Sequence, residues 1–168
     1  MAKSAKRIGE ILVEKGFITE AQLLDALTEQ KVSAKFLGSI LKEKGLITDR
    51  ELTNALADQF GIPVVDLKQE HIDMELARKF STSLVIDHKC FPLREDEFSV
   101  TVAVFNPLNA VAISKMEEEA SPRRIDLVLA YEEDLNQLVQ NYRQYISQSI
   151  QRLLKRKPPD GVSGKAQE

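Results

Sequence analysis

One cysteine, two histidines and no long apolar run set the first limits on this 168-residue chain. A lone Cys90 excludes an intramolecular disulfide framework and suits a reducing compartment. His71 and His88 stand seventeen residues apart, with Cys90 the only thiol, so no zinc site is expected. They read as surface or boundary histidines, and Cys90 as a small core residue. No stretch approaches the roughly eighteen consecutive apolar residues of a membrane span. The opening MAKSAKRIGE lacks the apolar core of a secretory signal, so a cytoplasmic location is expected. Neither charge sign dominates: 23 Lys and Arg face 26 Asp and Glu, for a net charge of −3. That balance argues against a general DNA or RNA binder. Phosphate-binding loops are missing too. Gly161, Gly164 and Lys165 have the wrong spacing and no Ser or Thr follows the lysine, and there is no G-x-G-x-x-G. The carboxylate runs Glu117 to Glu119 and Glu132 to Asp134 read as solvated faces, not as an acid/base pair on an apolar stripe. Enzyme activity is not expected of this chain.

What is present is a repeat. RIGEILVEKGFITEAQLLDALTEQ (Arg7 to Gln30) and FLGSILKEKGLITDRELTNALADQ (Phe36 to Gln59) align without gaps at a constant offset of 29. Twelve of the 24 aligned positions are identical, which marks a true internal repeat. Each copy opens with a short amphipathic segment, Ile8 to Val13 or Leu37 to Leu41. Gly16 and Gly45 then stand where a left-handed helix stop is needed. Thr19 with Gln22, and Thr48 with Glu51, form the Ser/Thr-x-x-Glu/Gln signature of a helix start. The second helix of each copy carries leucine at i and i+4: Leu23 and Leu27, Leu52 and Leu56. Gln30 and Gln59 fall on the same stripe. A glutamine there must find hydrogen-bond partners or face an opening.

After this, the period changes. Gly61-Ile62-Pro63 ends the fourth helix, and Pro63 to Leu67 reads as an extended linker or short strand. Met74 to Phe80 and Ser83 to His88 read as short helices. Cys90 to Arg94 and Phe98 to Phe105 read as a hairpin around Glu95 to Glu97. Asn106 is placed to cap a helix with Pro107 at its first position. Ile125 to Ala130 reads as a third strand, and Tyr131 to about Lys157 as a long helix closed by basic residues that complement its dipole. The fold class is therefore α+β. Residues 1–62 form a helical subdomain of two tandem helix-turn-helix repeats. Residues 63–157 form a small subdomain with a three-stranded antiparallel-type sheet covered by helices. Residues 158–168 read as a disordered tail.

The doubled motif Arg-Ile-Gly-x-x-Leu-Val-x-x-Gly-x-Ile, followed after four residues by Leu-x-x-Ala-Leu-x-x-Gln, resembles the repeat of the MshE N-terminal (MshEN) family. This is the N-terminal domain family of type II secretion and type IV pilus assembly ATPases. Gly-Ile-Pro-Val-Val-Asp-Leu, Phe-Pro-Leu-Arg and Val-Ala-Val-Phe-Asn-Pro-Leu-Asn extend the resemblance to about Tyr145. It implies a bacterial cytoplasmic domain, a secretion or pilus assembly protein as partner, and in many members a receptor for cyclic di-GMP. Carried over by position, the ligand residues would be Arg7, Ile8, Gly9, Leu23, Leu27 and Gln30 from the first copy. Those from the second would be Leu37, Gly38, Ser39, Leu52, Leu56 and Gln59. No metal, and no cofactor besides that ligand, is implied.

Those residue types suit a dianion with two flat purines. The Arg7 fork can stack on guanine or grip its acceptors or a phosphate. Glycines admit close backbone approach, leucines give bases an apolar floor, and the glutamine amides supply both donor and acceptor. The sequence also departs from the family pattern. Phe36 replaces a leading arginine in the second copy, Ser39 stands where binders often have an acidic residue, and Asn106 and Asn109 stand where aspartates are common. Two readings stay open: a cyclic di-GMP sensor or adaptor, and a protein-docking module without nucleotide, in which the glutamines only satisfy buried backbone.

Overall fold

A computed structural model of the chain describes residues 6–156. Most of the basic lead-in and the polar tail expected from sequence lie outside the described residues. Within residues 7–59 there are four helices and no strand: α1 (Ile8–Glu14), α2 (Glu20–Ser33), α3 (Leu37–Glu43) and α4 (Asp49–Phe60). The local signals act as expected. Thr19 Oγ1 accepts the Gln22 N–H at 3.2 Å while Gln22 Oε1 accepts the Thr19 N–H at 2.9 Å. Thr48 and Glu51 repeat that exchange at 3.2 and 2.8 Å. At the far end of α1, Gly16 sits at φ +75° and its N–H donates to the Val13 carbonyl, while the Phe17 N–H donates to Leu12. Gly45 (φ +70°) and Leu46 close α3 in the same way, on Lys42 and Leu41. Both are left-handed glycine caps that satisfy the last carbonyls of a short helix. Gly61, at φ +64°, ends α4.

The two copies interlock. Helix α1 packs on α4, and α2 on α3, so each copy's short helix rests on the other copy's long one. Gly9 and Gly38 have a packing role here. A Cβ on Gly9 would lie 2.6 Å from Leu23 Cδ1, and one on Gly38 would lie 2.7 Å from Leu52 Cδ2. The absent side chains let each long helix seat its leucine against the short helix of its own copy.

The second half contains α5 (Met74–Ala77), a π-helical turn (Ser83–Asp87), β1 (Phe91–Glu95), β2 (Ser99–Val104), α6 (Ala110–Ala120), β3 (Arg124–Leu129) and α7 (Glu132–Lys155). The sheet order is β1-β2-β3. The hairpin β1–β2 is antiparallel, as the acidic turn implies. β2 and β3 are parallel, however, so the sheet is mixed and not purely antiparallel. The reason is topological: α6 carries the chain back across the sheet before β3, and a strand-helix-strand crossover places its strands side by side in one direction. Val64 adds a parallel bridge to Leu129, so the extended Pro63 to Leu67 segment lengthens that edge. One expected cap is displaced. Asn109, not Asn106, begins α6, its Oδ1 accepting the Ala112 N–H at 3.2 Å. Asn106 Oδ1 instead accepts the Leu108 N–H at 2.9 Å, making a turn around Pro107 that delays the helix.

One cluster of buried side chains runs from Ile8 and Leu12 through Leu56, Phe91 and Val102 to Tyr142. The join between the halves is polar as well as apolar. Arg50 lies over the Tyr131 ring, 4.6 Å from its centroid, and the Glu133 N–H donates to Asp49 Oδ2 at 3.3 Å. Lys42 pairs with Glu132 and lies 3.5 Å from Asp49. The start of α7 is thereby held to the second repeat.

Candidate functional site

A cleft of about 330 Å³ opens between the two repeats, at the edge facing the second half. Its floor is apolar. Ile8, Leu23 and Leu27 come from the first copy, and Leu37, Leu52 and Leu56 from the second. Gly9, Gly38 and Ser39 line it through the first turns of α1 and α3, and Gln30 through the end of α2. Arg7 stands at the mouth, in extended backbone one residue before α1. Its backbone N–H donates to Glu10 Oε2 at 3.2 Å, and its exposed guanidinium has no partner among the described residues. Eleven of the twelve residues expected from sequence therefore share one cleft.

Gln59 is the exception. It does not line the cleft; its Nε2 donates to the Lys6 carbonyl at 3.3 Å. Gln30 does the same to the Lys35 carbonyl at 3.1 Å, while also facing the cleft. Lys6 and Lys35 are themselves 29 residues apart, the repeat offset. Each glutamine thus ties the end of its own long helix to the backbone just ahead of the other copy's short helix. Gln59 Oε1 is buried without a partner. Leaving such an acceptor unpaired costs on the order of 1–3 kcal/mol.

The cleft also has walls that the repeat did not reveal. Glu10, Phe36 and Lys42 come from the helical half; Phe105, Asn106, Leu108 and Glu132 come from the other. Glu10 was readable, since it holds the motif position of Ser39. So were Phe36, at the motif position of Arg7, and Asn106, where the family often has aspartate; Phe105, Leu108 and Glu132 were not, because long-range packing brings them in: Lys42 and Glu132 lie 90 positions apart. Glu132 is not on a solvated face as its acidic run suggested. Its side chain is only 26% exposed, between Lys42 and Lys89. Burial disfavours the Lys42 charge, but the Glu132 and Asp49 carboxylates together outweigh that and hold the ammonium above its ordinary pKa. Cys90 does not itself line the cleft; it is buried behind Phe105 and Asn106, and burial pushes its thiol up to about 11, so it stays a thiol at neutral pH.

Chemically, the site is an apolar slot with an unpaired cation at its mouth and a paired cation in its wall. Apolar walls with a few placed polar groups are what small-molecule sites share.

The MshEN domain model matches residues 60–149, which is 90 of the 168 residues. The chain belongs to the MshEN domain family. The matched segment runs from the end of α4 into α7, whereas the repeat precedes it. The structure of MshE with cdg (cyclic di-GMP) is similar with a TM-score of 0.73 at 28% identity, over 82% of this chain and 99% of that one. The N-terminal domain of XpsE is similar in two crystal forms. One has a TM-score of 0.67 at 19% identity, over 83% of this chain and 96% of that one. The other has a TM-score of 0.54 at 22% identity, over 83% and 97%. The XpsE likeness shows the fold alone. No curated protein matches this chain in sequence. No helix among the described residues is long and apolar enough to cross a membrane.

Proposed function

We propose that the cleft between the repeats binds cyclic di-GMP. On this reading the chain is a non-catalytic, cytoplasmic sensor or adaptor working with type II secretion or type IV pilus assembly components. The supporting observation is the convergence on one apolar cleft of Arg7, Gln30 and the paired leucines and glycines of both copies. The likeness to MshE with cdg adds to it. Two related half-sites suit a ligand built of two identical nucleotides. Its purines would lie on the leucines, and Arg7 would meet a phosphate or a guanine edge. The cleft volume is near the small end for such sites, so the ligand would lie partly across the mouth. We also take the helical repeats and the α/β half as two units, with the ligand reporting on their junction.

Calorimetry of the purified chain with cyclic di-GMP tests this. A saturable heat, absent with GMP, is expected. No heat and no thermal shift with ligand up to about 1 mM, where binding worth even ~4 kcal/mol would register, counts against it. The docking-module reading has one observation in its favour: both glutamines already satisfy backbone carbonyls inside the protein. A silent titration, with capture of a secretion or pilus component intact, would support that reading.

A further inference from the structure

The two copies are not equivalent where they carry charge. At the first motif position the first copy has Arg7 and the second Phe36; at the seventh the first has Val13 and the second Lys42. Cation and apolar residue have exchanged places. Arg7, Phe36 and Lys42 all line the cleft. Each copy therefore contributes one cation to it, from different positions. The two cations differ in their present partners. Arg7 has none among the described residues, whereas Lys42 is held by Glu132 and lies 3.5 Å from Asp49. Glu132 lines the same cleft, and its other cation, Lys89, is 3.8 Å away.

We propose that Lys42 is the second phosphate-binding residue of this cleft, and that a phosphate takes it by exchange with Glu132. The inference rests on the cyclic di-GMP reading above. A cyclic dinucleotide has two phosphates, and an apolar slot with only Arg7 would leave one of them unmatched. Lys42 is placed to supply that match. Its Glu132 pair keeps the cation desolvated but neutralised while the cleft is empty. When a phosphate arrives, Glu132 retains Lys89, and Lys42 retains Asp49, so neither charge is stranded. The exchange would also loosen the tie between the second repeat and the start of α7, which carries occupancy of the cleft to the other half of the chain.

The test is a set of cyclic di-GMP titrations on the full chain. Glu132→Gln removes the competing carboxylate and is expected to tighten binding about five- to tenfold, the scale of one like charge near the ligand in a water-exposed cleft. Lys42→Met combined with Glu132→Gln deletes both charges together, leaves Asp49 its hydrogen bond from the Glu133 N–H, and is expected to bind at least about tenfold more weakly than Glu132→Gln. If Glu132→Gln does not fold, Glu132→Asp, whose side chain is one methylene shorter and so holds Lys42 less closely, should shift binding in the same direction. Unchanged or weaker binding by Glu132→Gln, or equal binding by the single and double variants, overturns the role of Lys42. If Arg7→Ala still weakens binding in that case, the cleft reading survives without it. A wild-type chain that binds no cyclic di-GMP overturns both.

Discussion

Truncating Arg7 to alanine separates binding from folding more cleanly than any other change in the cleft. The guanidinium is exposed and has no hydrogen-bond, ion-pair or ring partner among the described residues, so its loss breaks no internal polar contact. The structural work at this position is done by the backbone: the Arg7 N–H donates to Glu10 and the Arg7 carbonyl accepts the Ile11 N–H at 3.1 Å. Alanine keeps both. A surface change of this kind is expected to alter stability by no more than about 0.5 kcal/mol. A cation facing the positive end of even a short helix is mildly unfavourable, which pushes the small effect toward stabilisation. Binding is different. A hydrogen bond to a charged group is worth about 1.5–3 kcal/mol, so Arg7→Ala should weaken cyclic di-GMP by about one to two decades in Kd. Arg7→Lys should recover little, because a point charge lacks the planar fork. Calorimetry gives the Kd and scanning fluorimetry the Tm of the free protein. Wild-type affinity in Arg7→Ala, or a large fall in its Tm, would refute the reasoning. The first would move the contact elsewhere in the cleft; the second would give Arg7 a folding role.

Gly38→Ala should lower stability by about 1 kcal/mol. A Cβ 2.7 Å from the buried Leu52 forces overpacking that better helix propensity only partly offsets, and a raised Tm would contradict this. Thr48→Ala removes the acceptor for the Glu51 N–H and should cost about 1 kcal/mol, seen as a Tm roughly 2–4 °C lower; an unchanged Tm would show that α4 starts without its cap. Asp96 accepts the Phe98 and Ser99 N–H groups and the Ser99 hydroxyl, which hold its carboxyl below the ordinary value. A depressed folded pKa gives stability that is present above the unfolded value and lost as pH falls through the folded one. Asp96→Asn should therefore show a flatter decline in urea midpoint from about pH 5 downward than wild type; parallel curves would contradict it.

The helical half was legible because its instructions are local. Capping threonines, stop glycines and leucine spacing act within a few residues, and the repeat states them twice. The mixed sheet was less so. Strand character in Arg124–Leu129 can be read from its composition, but its direction depends on which way α6 returns the chain, and no short pattern encodes that. The displaced cap at Asn109 has a similar origin. Asn106 and Asn109 are both competent caps, and only the turn around Pro107 decides between them.

In the site, the repeat register located what the two copies share and missed where they differ. The same long-helix position is Leu24, 68% exposed, in the first copy and Thr53, 2% exposed, in the second. Leu27 and Leu56 likewise differ, at 36% and 4%. The second copy meets the start of α7 through Lys42, Asp49 and Arg50, so equivalent residues do not have equivalent surroundings. Gln30 and Gln59 illustrate this best. Both make the same bond to the same offset carbonyl, yet only Gln30 also reaches the cleft. A motif fixes which atoms are available. Whether they face a ligand is decided by the surroundings that tertiary packing supplies, as Glu132, 90 positions from Lys42, shows in the cleft wall.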